Sequence, residues 1–204
     1  MRPEIWGPGF WHLLFAAAWR TSDQERLLPQ LAELFELVPD MLPCSKCRAN
    51  HRAHVAAITK GRPLRFDNGL QAFRTLHTLK TMVSKSIARA KGHAPCPPIP
   101  LQRLMERYLV RGDVVDAVLV ADTLLLVAID VHERGAAELT ARYCRFCALL
   151  RQLLPVPASS PLHAGLATTQ GAVVQTAYRT CKLTRRAAGH VAPPLSYFQQ
   201  AALL

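Results

Sequence analysis

Apolar side chains recur along this chain at spacings of three and four residues, which is the repeat of an amphipathic α-helix. In the first half, the predicted helices cover residues 8–20, 22–39, 43–59 and 69–90. Ser22 and Glu25 have the spacing of a capping box for the second helix, and Pro39 is expected to end it. Asn68 is a predicted N-cap for the fourth helix. Short polar loops join the four segments, so the pattern predicts a four-helix bundle.

The same spacing continues in the second half of the chain. The helices predicted there cover residues 101–110, 113–133, 136–154 and 166–181. Proline is concentrated at residues 95–100, which makes this segment the best candidate for a boundary. We therefore expect an all-α protein with two domains, residues 1–96 and 97–204. The residues after Pro193 are expected to be loosely held.

The longest apolar run, residues 114–131, contains Asp116, Asp122 and Asp130. A carboxylate at the centre of a membrane span costs on the order of 3 kcal/mol, so this run predicts a buried helix and no transmembrane segment. Residues 1–6 lack the apolar region of a secretory signal, so no export is expected. Strands alternating with helices are not indicated, which argues against a thioredoxin fold.

The chain is basic, with 25 Lys and Arg against 14 Asp and Glu, a formal net charge of +11. Such a charge suits nucleic acid, an anionic membrane surface or a phosphate-bearing cofactor, and it equally suits a basic solvent-exposed surface without any of these partners. The basic residues are spread along the chain without a run of five, and aromatic residues do not alternate with them. This distribution argues against nucleic acid as a partner.

Four of the six cysteines form two CxxC pairs, Cys44 with Cys47 and Cys144 with Cys147. Asp40 is a plausible N-cap for the helix with the first pair, which would place Cys44 in its first turn, where the dipole favours a thiolate. Residues three apart on a helix lie within disulfide distance, so this pair can open and close with little backbone movement.

Two kinds of site fit these cysteines. One is a redox-active disulfide at Cys44 and Cys47, and the other is a tetrahedral zinc site made by both pairs. A local zinc site that adds His51 and His54 to the first pair would span about 15 Å of helix, too far for one ion. Structural zinc pairs usually occupy turns rather than helices, which favours the redox interpretation.

Residues 6–11 contain two tryptophans, Trp6 and Trp11, which is a large number for so short a segment. Their rings suit either core packing or contact with a flat ring. A redox disulfide in an all-helical protein needs an electron acceptor, and a bound flavin is the natural candidate. The tryptophans would suit its ring, and the cationic fourth helix would suit its phosphates.

The segment Trp6-Gly7-Pro8-Gly9-Phe10-Trp11, followed about thirty residues later by Pro43-Cys44-Ser45-Lys46-Cys47, resembles the Erv/ALR family of FAD-linked sulfhydryl oxidases over residues 5–96. The resemblance implies an FAD-binding bundle, and some viral members of the family carry a degenerate second helical domain. Phe15 and Leu42 stand where histidine and tyrosine are usual and resemble the poxvirus-type members. This suggests a viral protein from a large DNA virus.

The resemblance also implies site residues. Cys44 would exchange electrons with the substrate and Cys47 would face the flavin. The implied cofactor contacts are Trp6, Gly7, Trp11, Phe15, Cys47, His51, His77, Lys80, Val83, Ser84 and Lys85. His77 and Lys80 compete for the role of the family's histidine on the fourth helix. His51 is either a flavin contact or a partly exposed residue, and His12 and His54 are expected on the surface.

The implied activity is disulfide formation in thiol-containing substrate proteins, with electrons passing through FAD to O2 to give H2O2, in a homodimer. The expected location is the host cytoplasm or the virion, or else the cytosol or the mitochondrial intermembrane space. The alternative is a non-catalytic helical interaction or virion protein stapled by zinc. Cys144 and Cys147 would form a shuttle disulfide or a structural staple, and Cys96 and Cys181 would pair with each other or with a partner subunit.

Overall fold

The computed structural model describes residues 3–94, 97–109 and 115–203, and in these residues it is helical throughout, with no strand. The predicted all-α class is therefore confirmed. The α-helices are α1 Pro3–Asp23, α2 Leu28–Met41, α3 Ser45–Thr59, α4 Gly69–Ala90, α5 Leu101–Leu109, α6 Ala117–Arg134, α7 Ala137–Leu153, α8 Pro161–Gly165, α9 Val173–Ala187 and α10 Leu195–Leu203. Short 3₁₀ turns at Glu25–Leu27 and Gln170–Ala172 precede α2 and α9.

Helices α1 to α4 pack on one another as a bundle, α1 against α4 and α3 against both α2 and α4. Asn68 caps α4 as predicted, because its side chain accepts the backbone N–H of Gln71 at 2.9 Å. Gly69 lies so close to the backbone of Ser22 that any Cβ there would overlap it. The contact between α1 and the start of α4 therefore depends on this glycine.

The predicted junction between α1 and α2 is wrong. Helix α1 continues through Ser22, whose hydroxyl donates to the carbonyl of Trp19 at 2.6 Å and caps nothing. Helix α2 begins only at Leu28, after the 3₁₀ turn. Pro39 does not end α2 but lies inside its last turn, and the helix loses the hydrogen bond that the backbone N–H of another residue would make there.

Helix α6 corresponds to the long apolar run, and Asp116 caps it by accepting the N–H of Leu119 at 2.9 Å. Val120, Leu125 and Val127 are fully buried in it. No helix in the part of the chain that the structure describes is long and apolar enough to cross a membrane, as predicted. Residues 113 and 114 of the predicted helix, and Val110 of the one before it, lie outside the described residues.

The end of the chain differs from the prediction. In place of one helix over residues 166–181, the structure has the short α8 and then α9, which extends to Ala187. Residues Leu195–Leu203 form α10, which packs on α6 and contains the buried side chain of Phe198. The expectation of a loosely held C-terminus is therefore wrong.

The two halves of the chain share one hydrophobic core. Helix α6 packs on α1, and α7 packs on both α1 and α2. Phe10 of α1 and Phe146 of α7 stack with their ring centroids 6.1 Å apart. Pro95 and Cys96 lie outside the described residues, and the division into residues 1–96 and 97–204 stays a prediction.

Candidate functional site

A disulfide joins Cys44 and Cys47 at the start of α3, with their Cα atoms 5.0 Å apart. Cys44 is itself the N-cap of α3, and its Sγ accepts the backbone N–H of Cys47 at 3.2 Å. The predictions that Asp40 caps this helix and that Cys44 lies in its first turn are therefore wrong, since Asp40 belongs to the last turn of α2. The N-cap position still favours a thiolate on Cys44 when the disulfide is open.

Hydrogen bonds from three helices hold the segment that precedes the disulfide. Arg48 of α3 donates to the carbonyl of Leu42 at 2.8 Å, and Arg134 of α6 donates to the carbonyl of Asp40. The Asp40 carboxylate accepts from Arg52 of α3 at 2.9 Å and from Arg142 of α7 at 2.7 Å. The second half of the chain therefore helps to fix the position of Cys44.

The disulfide lies at a cavity of about 780 Å³ enclosed mainly by α1, α3, α4 and α5. This volume falls in the range of about 300–1,000 Å³ that is usual for pockets holding drug-sized ligands and cofactors. The lining includes both cysteines, the aromatic residues Trp6, Phe10, Trp11, Phe15 and Tyr108, and the apolar residues Leu14, Val38, Leu42 and Val83.

Aromatic rings form much of the inner surface of this cavity. Trp6 and Phe10 meet edge to face with centroids 5.8 Å apart, and Phe15 packs on Phe73 at 5.0 Å. The ammonium group of Lys80 lies 5.6 Å from the centre of the Phe15 ring. A flat, apolar ligand would find π faces on one side and positive charge beside them.

Polar ring atoms of Trp6 and His51 are buried at this cavity without hydrogen-bond partners among the described residues: Nε1 of Trp6, and both Nδ1 and Nε2 of His51. Burial, with smaller contributions from the charges of His54 and Arg52, lowers the pKa of His51 to about 4. His51 is therefore neutral at pH 7 and offers one donor and one acceptor. Each unsatisfied group costs about 1–3 kcal/mol, which a heterocycle with N–H and C=O groups would offset. The residues present thus fit a flavin ring.

Most of the residues expected to bind a cofactor lie together at the cavity. They are Trp6, Gly7, Trp11, Phe15, Cys47, His51, Lys80, Val83 and Ser84. His77 and Lys85 are not in the lining: Nε2 of His77 is 2.7 Å from the carbonyl of Ile99, and Lys85 is exposed. Of the two candidates on α4, Lys80 therefore faces the cavity.

Two histidines expected on the surface line the cavity instead. His54 is half-buried, with Nε2 3.1 Å from the hydroxyl of Ser86 on α4. His12 is buried and accepts the backbone N–H of Asp116 at 3.0 Å through Nε2. His54 shares a helix face with Cys47 and His51, so sequence spacing could have indicated it. The sequence gives a weaker indication that His12 lines the cavity, because its hydrogen-bond partners come from the second half of the chain.

Cys144 and Cys147 are both free thiols in α7, so the predicted disulfide between them is absent from the structure. Burial raises the pKa of Cys144, and it raises the pKa of the fully buried Cys147 to about 12. Raised pKa values make both thiols poor nucleophiles, which argues against a shuttle.

Of the remaining two cysteines, only Cys181 lies in the described part of the chain, and the predicted pairing of Cys96 stays a prediction. Cys181 is a buried free thiol that donates to the carboxylate of Asp122 at 3.1 Å, and Cys96 lies outside the described residues. Among residues 3–94, 97–109 and 115–203, no group of three or more His, Cys, Asp or Glu side chains is placed to hold a metal ion. The zinc-stapled alternative therefore gains no support from the geometry.

Comparisons with protein-family models, with curated proteins and with solved structures each gave no match for this chain. We therefore base the proposed function on the geometry of the site and on the sequence motifs.

Proposed function

We propose that this protein is an FAD-dependent thiol oxidase that forms disulfides in substrate proteins at Cys44 and Cys47. The observation that carries the proposal is the position of the disulfide, which lines the same aromatic cavity as the unpartnered ring nitrogens of Trp6 and His51. A redox pair and a set of unsatisfied groups that suit a heterocycle thus occur in one place. The motif resemblance of residues 5–96 to sulfhydryl oxidases supports the same function.

Trp6, Trp11, Phe15 and His51 would hold the flavin ring, and Lys80 would supply positive charge beside it. When bound, FAD would supply a two-electron acceptor for the reduced cysteine pair, with O2 as the terminal acceptor and H2O2 as its product. The buried side chains of Leu14, Val38 and Leu42 give the cavity an apolar surface near the ring. The neutral His51 presents its N–H and its bare nitrogen to the ligand without placing a charge there.

The chain's own part in the reaction is thiol–disulfide exchange. A substrate thiolate attacks Sγ of Cys44, the Cys44–Cys47 bond breaks, and Cys47 leaves as a thiolate. A second substrate thiolate then attacks the substrate sulfur of the mixed disulfide, which releases Cys44. The substrate has lost two electrons and gained a disulfide, and the cysteine pair has gained those electrons.

The N-cap position explains why Cys44 suits the exchange. The N–H of Cys47 points at its sulfur, and the positive end of the α3 dipole lies there. Both stabilise the thiolate of Cys44, which makes it a good leaving group when the mixed disulfide is resolved. The exposed residue Ser45 between the cysteines leaves an approach open to a protein substrate.

The visible spectrum of the purified protein tests the proposal most directly. We expect the absorption of an oxidised flavin, and oxygen consumption with H2O2 formation when dithiothreitol is added. A colourless protein that takes up no added FAD and consumes no oxygen would contradict the proposal. Metal analysis that finds about one zinc ion per chain in such a protein would favour the zinc-stapled alternative.

A further inference from the structure

The helix that begins with the redox cysteines has an unusual charge composition. Between Leu42 and Asp67 the chain contains no Asp or Glu. The basic residues in the same interval are Lys46, Arg48, Arg52, Lys60, Arg62 and Arg65. All but Arg48 are exposed. Lys46, Arg48 and Arg52 lie in the first half of α3, next to the disulfide, and the other three basic residues follow the helix.

Lys46 lies between Cys44 and Cys47 in the sequence. It is therefore the basic residue nearest to the disulfide along the chain. Its side chain is exposed and lines the cavity together with both cysteines. Lys46 has no ion-pair partner in the described part of the chain, whereas Arg52 shares the carboxylate of Asp40. A negative group on an arriving substrate would therefore meet an uncompensated ammonium group next to the disulfide.

Most carboxylates on the elements around α3 are paired with cations, whereas the exposed Glu36 of α2 and Asp67 before α4 have no ion pair in the part of the chain that the structure describes. Asp40 binds Arg52 and Arg142, and Asp130 binds Arg134 at 2.8 Å. Glu33 of α2 binds Arg145 of α7 at 2.6 Å, and Glu4 at the cavity binds Lys91 at 2.8 Å. These acids pair with arginines and with Lys91, which lines the same cavity, and none of them forms an ion pair with Lys46 among the described residues. The charge beside the disulfide is therefore positive.

We propose that the substrates of this site are polypeptides with acidic residues next to the cysteines that they present to Cys44. This inference rests on the proposed thiol oxidation and specifies its substrate class. The exchange itself is unchanged: two substrate thiolates form one disulfide, and Cys44 and Cys47 take up the two electrons. Lys46 attracts the carboxylates during the encounter, and the net charge of +11 steers them from farther away.

Acidic residues next to a substrate cysteine also slow the exchange, and the experiment must separate this effect from the attraction to Lys46. A carboxylate next to a cysteine raises the pKa of that thiol and lowers the fraction of reactive thiolate. This loss of thiol reactivity is a property of the peptide itself. The rate at which the peptide reacts with a small neutral disulfide, such as bis(2-hydroxyethyl) disulfide, measures it. Each rate with the protein should therefore be divided by the rate of the same peptide with that reference compound.

The test uses two dithiol peptides that differ only in having Glu or Lys on either side of the cysteines. Single-turnover exchange with the oxidised full-length protein gives the rate for each. We expect the normalised rate to be on the order of tenfold higher for the Glu peptide at low salt. The difference should shrink in about 0.5 M NaCl, where the Debye length is only about 4 Å.

Two charge reversals provide the matched comparison. Lys46→Glu should remove most of the preference for the Glu peptide, because it reverses the charge between the cysteines. Lys182→Glu makes the same change at an exposed position on α9, away from the disulfide, and should keep the preference. Equal normalised rates for the two peptides, or equal effects of the two variants, would overturn the inference.

Dithiothreitol separates this inference from the proposed function, because it carries no charge. Oxygen consumption with dithiothreitol and no preference between the peptides would reject the acidic-substrate inference alone. A preference for the Glu peptide in a protein that consumes no oxygen would reject the proposed oxidase activity. It would leave the inference that acidic substrates bind next to the disulfide in place.

Discussion

His12 of α1 accepts the backbone N–H of Asp116, the residue that caps α6, at 3.0 Å through Nε2. Since Nε2 is the acceptor, Nδ1 carries the proton of the neutral ring and lies 3.3 Å from the hydroxyl of Tyr108 on α5. The Tyr108 ring in turn packs against Phe15 with centroids 6.0 Å apart. One buried imidazole thus ties the first helix and the cavity to the second half of the chain.

Replacing His12 by alanine should lower the free energy of unfolding by about 1–3 kcal/mol, because the buried N–H of Asp116 loses its acceptor. Urea denaturation measures the change. His93→Ala, at an exposed position, is the control and should have little effect. Equal stability of the two variants would show that the bond to Asp116 contributes nothing.

The fragment of residues 1–96 should not fold cooperatively by itself. Without α6 and α7, the apolar faces of α1 and α2 that form part of the common core would be exposed to water. Near-ultraviolet circular dichroism and thermal unfolding of the fragment test this expectation. A sharp thermal transition in the fragment would instead establish residues 1–96 as an independent domain.

Two glycines in α1 should respond differently to the same change. A Cβ at Gly9 would overlap the side chain of Thr123 and lie 2.9 Å from the carbonyl of Leu119 on α6. Gly9→Ala should therefore cost about 1–3 kcal/mol of stability, since α1 and α6 must move apart. Gly7→Ala meets no atom within 4 Å and should be neutral or stabilising by up to about 1 kcal/mol, through helix propensity. Chemical denaturation of both variants checks the difference.

Stability should fall as the pH drops from about 6.5 to about 4, because the pKa of His51 is lowered to about 4 in the folded protein. Between these values the unfolded chain binds a proton at His51 and the folded chain does not. The loss attributable to His51 is on the order of 3 kcal/mol and is complete below pH 4.

Urea denaturation of the native protein and of His51→Gln at pH 7.5 and pH 4.5 measures this contribution. The variant should lose less stability between the two pH values than the native protein does. His93→Gln serves as the exposed control and should follow the native protein. If His51→Gln also followed it, His51 would titrate in the folded state as it does in the unfolded chain.

Cys44→Ser and Cys47→Ser should each abolish dithiol oxidation while the protein keeps its flavin absorption. The reason is that exchange needs both sulfurs, whereas the aromatic lining and His51 remain in place. Cys144→Ser should retain activity, since that thiol is not part of a disulfide in the structure. Oxygen consumption with dithiothreitol measures all three variants, and activity in Cys47→Ser would reject the assignment of the redox pair.

Parts of the site could be predicted from local sequence because they depend on neighbours along one helix. The i, i+3 spacing placed Cys44 and Cys47 within reach of each other, and the same face of α3 carries His51 and His54. The tryptophans of α1 also line the cavity. The same reasoning failed for Ser22 and Pro39: the Ser22 hydroxyl donates to the carbonyl of Trp19 within α1, and α2 continues past Pro39 to Met41.

The sequence by itself determined the all-helical class, the bounds of α4, the buried character of α6 and the spacing of Cys44 and Cys47. These features follow from periodicity and from bonds between residues at most four apart. The tertiary structure alone decided that Lys80 rather than His77 faces the cavity, that Tyr108 lines it, and that Cys144 and Cys147 stay apart as thiols. Each of these depends on which helices pack together, and such long-range contacts between apolar faces leave no local pattern in the chain.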